Sequence, residues 1–163
     1  MSIIAPQPID DYKFIKPTGL VATTPTNCTA VLVNNAAEDE LVYDIDATVA
    51  VGNCIVEFDF IIPDDFKAFA NQADDVSIRA TQDVGVSNDS TLTINVIDSA
   101  GVESDDDSVV VQDLTNVFAT YDCAIDAGAF VAGDHFVVQI TTTNPDNDDD
   151  CMITIPKVKY IPQ

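Results

Sequence analysis

Residues 58–66 read FDFIIPDDF. Phe58, Phe60 and Ile62 recur at every second position, with Asp59 between the first two, and Pro63 with two aspartates then closes the run. Period-two alternation is the mark of a strand with one buried and one wet face. Proline has no N–H to give to a ladder, so it ends such a strand. Asp64 and Asp65 then read as caps of a short turn rather than as a catalytic or metal-binding dyad.

The same period runs outward from this stretch. TAVLVNN (29–35) is a short strand. In 41–51, Leu41, Tyr43, Ile45, Ala47, Val49 and Val51 share a face opposite Asp44, Asp46 and Thr48. Cys54 and Val56 extend the apolar face of the opening stretch. Val76, Ile78 and Ala80 oppose Arg79, and Leu92, Ile94 and Val96 form another inward set. SVVVQ (108–112), VFATYDCAI (117–125, with Val117, Ala119, Tyr121, Cys123 and Ile125 inward), HFVVQI (135–140) and MITIPKVKYI (152–161) follow. Eight to nine short strands with almost no helix predict an all-β sandwich or barrel. DDFKAFANQ (64–72), with Asp after proline and Phe66, Phe69 and Ala70 on one side, predicts a turn or two of helix. In the last strand Val158 and Tyr160 are out of phase with Ile153 and Ile155. A bulge at Pro156 returns them to the core and leaves Lys157 and Lys159 outside, which suits an edge strand.

Residues 1–27 differ from the rest. Pro6, Pro8, Pro17 and Pro25 separate apolar pairs such as Ile3–Ile4 and Phe14–Ile15, which predicts an extended arm ahead of a domain at 28–163. The apolar pairs point to an arm that orders on a partner, because a purely solvated tail has no need of them.

The chain has 163 residues and a formal net charge of −22, from 28 acids against 6 bases. Such a charge makes nucleic acid and anionic lipid poor partners. Between residues 38 and 150 there are 26 acids and two bases, Lys67 and Arg79; the other four are Lys13, Lys16, Lys157 and Lys159. If the two ends of the chain lie together, they form the one surface suited to an acidic body. The start of the sequence lacks a basic stretch followed by an apolar one, and no apolar run approaches the ~18 residues of a membrane span, so synthesis in a cytoplasm is expected. Cys28, Cys54, Cys123 and Cys151 form no CxxC pair and are expected to be free and buried.

Little in the sequence suggests catalysis. The one histidine, His135, sits on the wet side of its strand, no GxSxG elbow is present, and the glycines are scattered. The chain has no Trp, and most of its twelve aromatics (4 Tyr, 8 Phe) occupy apparent core positions, which argues against a sugar platform. The loop NPDNDDD (144–150) offers oxygen ligands, so Asp146, Asp148 and Asp150 are weak calcium candidates, although the EF-hand order is absent. No other cofactor is expected.

The order FDFIIPDDF, VSIRAT, TLTINVIDSAG, AGDHFVVQITTTNPDNDDD and ITIPKVKY resembles the jelly-roll virion proteins of tailed phages, over residues 40–162. Pro63, Asp64 and Asp65 match their strand-end turn, Gly133 and Asp134 the turn before the penultimate strand, and Tyr160 the terminal tyrosine. The resemblance implies a jelly-roll sandwich and a non-enzymatic structural role. It suggests a decoration or cement protein on the outside of a capsid, with the major capsid protein and copies of itself in a homotrimer as partners. A carbohydrate-binding or adhesion module on a tail or fibre is the alternative. The expected partner-binding residues are Ile3, Ile4, Lys13, Phe14, Ile15 and Lys16 of the arm, with Lys157 and Lys159.

Overall fold

The computed structural model describes residues 12–36, 39–48, 52–70, 74–82, 90–103, 112–126, 130–144 and 150–163. In chain order the strands are β1 (Lys13–Ile15), β2 (Gly19–Thr26), β3 (Cys28–Asn35), β4 (Glu40–Ala47), β5 (Gly52–Ile61), β6 (Phe66–Ala68), β7 (Val76–Gln82), β8 (Thr91–Asp98), β9 (Gln112–Asp113), β10 (Ala119–Cys123), β11 (His135–Asn144), β12 (Asp150–Thr154) and β13 (Lys157–Pro162). They form two antiparallel sheets. The smaller runs β2-β5-β11-β8-β9. The larger follows β1-β13-β7-β12-β4-β3, with β10 added on β7 and β6 on β13.

The opening stretch lies at the centre of the smaller sheet. Phe58 and Phe60 of β5 face Val138 and Phe136 of β11, and Val138 faces Val96 of β8. These side chains point toward the larger sheet, whose inward set includes Tyr43, Ile45, Val76, Ile78, Cys151, Ile153 and Val158, all buried. The polar positions of β5 stay on the other side, where Gln139 Nε2 donates to Glu57 Oε1 at 2.7 Å. β5 ends at Ile61, just ahead of Pro63, and a second turn locks that end. Ile62 N–H donates to the Asp134 carbonyl and Gly133 N–H to the Ile62 carbonyl, each at 2.9 Å, with Gly133 in the left-handed region that glycine tolerates best.

Several expectations change. Residues 64–72 carry no helix in their described part: after a turn closed by Phe66 N–H on the Pro63 carbonyl, Phe66–Ala68 pairs with β13. So short a helix is marginal on its own. Here the ring contacts of Phe66 with Phe69 (4.9 Å) and Tyr160 (6.0 Å) favour the strand. The described part of the proposed arm is extended, as its prolines require, but it is hydrogen-bonded into both sheets as β1 and β2. Pro25 is accommodated because β2 is an edge strand. Residues 1–11 lie outside the described residues.

The break near Pro156 is present. Ile153 faces Ala80 and Lys157 faces Ser77, so four steps on one strand oppose three on β7. This extra residue rephases Val158 and Tyr160 inward. Contrary to expectation β13 is not an edge, because β1 covers its other side. Leu41 is 50% exposed whereas its neighbour Val42 is fully buried. The β4–β12 ladder ends at the Val42–Thr154 pair, so Leu41 lies beyond the cover of β12. Val117, 65% exposed, precedes β10 and is likewise unpaired with it. Of SVVVQ only Gln112 is described, at the start of β9; Val49 and Val51 lie outside the described residues.

All four cysteines are free and buried. Burial first, and then the Cys28 thiol beside it, push Cys54 up to about 12. Burial does the same to Cys151, also to about 12. Among the described residues no helix is long and apolar enough to cross a membrane.

Candidate functional site

The antiparallel β1–β13 ladder brings the two ends of the described chain together. Lys13 lies opposite Tyr160, Phe14 opposite Lys159, and Ile15 opposite Val158. The predicted residues Lys13, Phe14, Ile15, Lys16, Lys157 and Lys159 therefore form one seam. Ile15 turns inward to 8% exposure, while Phe14 stands 64% exposed on the outer side. Ile3 and Ile4 lie outside the described residues, as do the calcium candidates Asp146 and Asp148. Asp150 opens β12 opposite Asp46. Among the described residues no group of three His, Cys, Asp or Glu side chains is placed to hold a metal ion. His135 is exposed, with Nδ1 3.7 Å from Asp59 Oδ1.

The aspartate pair of the opening stretch divides its work. Asp64 is exposed. Asp65 reaches across to the seam: it pairs with Lys13 and accepts the Tyr160 hydroxyl at 2.7 Å. Lys13 first, and Tyr160 second, hold its carboxyl below the usual carboxylate range. Tyr160, 4% exposed, is pushed the other way, up to about 12, by burial and then by the Asp65 carboxylate. An unfolded tyrosine ionises near pH ~10, so the folded chain keeps a proton there that the unfolded chain releases. That contribution is fully present below pH ~10 and is lost as pH rises toward 12. The melting temperature is therefore expected to fall across this window, and Tyr160→Phe to flatten part of the fall. Burial raises Tyr43, Cys54 and Cys151 as well, and these three account for the remainder. An unchanged alkaline slope in Tyr160→Phe would remove this account.

Nine of the twelve aromatics are buried, which leaves Tyr12, Phe14 and Phe118. All three stand by the outer face of the larger sheet, and two are matched to a cation. The Lys159 ammonium lies 4.6 Å from the centre of the Tyr12 ring, and the Arg79 guanidinium 5.2 Å from that of Phe118. Such contacts are attractive and hold the rings in place. Lys159 also pairs with Asp74 at 2.6 Å, and Arg79 with Glu40 at 3.0 Å. Sequence reasoning missed Tyr12, Glu40 and Phe118 as surface residues. The scarcity of bases, which singles out Arg79, was the available signal.

Where the bulge separates β12 from β13, the face opens into two adjoining hollows that share Ile155 and Lys157. The larger, 440 Å³, is lined by Phe14, Ile15, Lys16, Pro17, Ile155, Pro156 and Lys157. The smaller, 210 Å³, adds Glu40, Leu41 and Thr154. Further along the same face stand Asp44, Asp46 and Asp150. Burial, then Asp46, raise Asp44 above the usual carboxylate range. At the β13 end the outer face thus carries lysines and exposed rings, with Asp74, Asp122 and Glu40 engaged by Lys159, Ser77 and Arg79, and at the other end it carries Asp44, Asp46 and Asp150.

No family model matches the sequence. No curated protein matches it either. Among solved structures, the fold is similar to TmCBM61 in complex with beta-1,4-galactotriose, at 9% identity and a TM-score of 0.58, over 86% of this chain and 89% of that one. It is also similar to a structure described for the promiscuous specificity of carbohydrate-binding modules of the beta-sandwich superfamily, at 11% identity and a TM-score of 0.55. That match covers 85% of this chain but only 56% of the other, so the chain spans little more than half its length. At such identities the likeness establishes the fold, a jelly-roll β-sandwich.

Proposed function

We propose that the chain is a non-catalytic carbohydrate-binding or adhesion module, and that its ligand lies along the outer face of the larger sheet. The observation that carries this reading is the placement of the aromatics. The three that the core does not use stand on a single face, and Phe14 lines a hollow there with its ring open to solvent. A sugar offers an apolar ring face bordered by hydroxyls, and an exposed aromatic beside lysine and glutamate side chains suits both. Concave, largely apolar sites with a few polar groups are the usual form of small-ligand sites. The fold shared with carbohydrate-binding modules makes the reading economical, and the resemblance of 58–66 to virion proteins suggests a phage tail or fibre as its setting.

The experiment is a glycan array followed by titration of the hits. Phe14→Ala is expected to weaken binding by about tenfold or more, the scale of an aromatic anchor. It should leave the melting temperature nearly unchanged, because the ring is 64% exposed. An array without hits would end the proposal. One observation favours a second reading: four of the six bases collect along this seam, as a cement protein docking on an acidic shell requires. Binding to intact capsids, at hundreds of copies per particle, would favour that reading.

A further inference from the structure

We propose that the ligand is an anionic polysaccharide built of hexuronate units, whose carboxylates sit between Lys16 and Lys157. This rests on the carbohydrate reading above and narrows it to a substrate class.

The first observation is the state of the two lysines. Lys16 continues the line of β1 past the Ile15–Val158 pair, which sets it beside Lys157, and both line the 440 Å³ hollow. Neither has a carboxylate partner among the described residues, whereas Lys13 pairs with Asp65 and Lys159 with Asp74. Like charges side by side on neighbouring strands repel. A chain with 28 acids has ample means to neutralise two adjacent cations, yet among the described residues the one carboxylate lining the adjoining hollow, Glu40, is engaged by Arg79. Among the described residues the hollow thus holds two ammonium groups and no anion of its own to balance them.

The second observation is what lies next to them. Phe14, Pro17, Ile155 and Pro156 give the hollow an apolar floor. A hexuronate carries both complements in one residue, a ring face for Phe14 and a carboxylate for the lysine pair. A neutral hexose leaves the ammonium groups unmatched. An acidic peptide supplies the charge without a rigid ring to fill the floor. The acids at the far end of the face, Asp44, Asp46 and Asp150, place the anionic part of a ligand at the β13 end. The net charge of −22 does not forbid this, because charges beyond ~8 Å are largely screened at physiological ionic strength.

The test is calorimetric titration of the full chain, at physiological salt, with tetragalacturonate, neutral β-1,4-galactotetraose and a pentaglutamate peptide. Tetragalacturonate is expected to bind about tenfold more tightly than the neutral sugar. Lys16→Gln and Lys157→Gln are each expected to weaken it about threefold to fivefold, with a smaller loss for the neutral sugar. Both lysines are exposed, so the fold of the variants is verified by melting temperature. Equal affinity for the two sugars, or indifference to the lysine variants, overturns the inference and leaves the carbohydrate reading intact. Failure of both sugars overturns the inference, and the carbohydrate reading is then decided by the glycan array. Pentaglutamate binding at least as tightly as tetragalacturonate assigns the surface to a protein partner and overturns the inference.

Discussion

Phe136→Ala is expected to destabilise the fold by about 3–5 kcal/mol. Phe136 is 1% exposed on β11, in the middle of an aromatic cluster. Its ring stacks on Phe60 at 5.2 Å and 13°, leans on Phe130 at 5.2 Å, and meets Phe69 edge-on at 6.0 Å. Truncation removes all three contacts, each worth ~0.5–1.5 kcal/mol beyond burial. It leaves a void between two sheets whose backbones are fixed by their ladders and collapse only in part. Against a total stability of ~5–15 kcal/mol such a loss makes the variant marginal. Urea unfolding measures it: the midpoint should fall with little change in slope. Phe136→Leu, which keeps most of the volume, should lose much less. A loss below ~1 kcal/mol for the alanine variant would mean that the sheets close over the gap, contrary to the packing argument.

Gly52→Val is expected to cost about 1–3 kcal/mol by overpacking. Gly52 begins β5 where the chain crosses between sheets. A Cβ there would lie 3.0 Å from the Asn27 carbonyl oxygen and 3.1 Å from the Ala47 Cβ. The same carbonyl accepts Thr48 N–H at 2.8 Å, and Asn27 holds a positive φ of 58° as it joins β2 to β3. Neither neighbour can retreat without loosening that crossing, and valine adds two further carbons. The measurement is the melting temperature of the Val and Ala variants, with Val the lower. Equal melting of Gly52→Val and the parent chain would refute the close approach.

Much of the architecture was legible because β-structure writes its faces into alternate residues. The inward sets of β5, β7 and β8 stood in plain view, and the phase slip between Ile155 and Val158 located the bulge. Alternation does not say which strands are neighbours. Lys13 beside Tyr160, and Arg79 between Glu40 and Phe118, are products of pairing between remote segments, so the knot at Asp65 and the ring–cation pairs had no local signature. Prolines misled for a related reason: Pro17 and Pro25 look like breakers, yet one lies between strands and the other on an edge, where no donor is required. The short run at 66–69 had too few residues to establish its period. The four lysines at the ends did anticipate the seam, since bases so rare in so acidic a chain are conspicuous wherever they fall.

The pairing of β1 with β13 also gives the seam a kinetic character. Lys13 and Tyr160 are 147 positions apart, from 13 to 160, so joining them closes a loop that contains nearly every other strand. The entropic cost grows only as the logarithm of loop length and comes to about 4 kcal/mol for a free chain. Contacts of such long separation are what make all-β chains slow to fold. The surface read here as the binding face is therefore not a property of any local segment. A fragment that lacks either β1 or β13 does not possess it, and a chain acquires it only when its most distant strands have met.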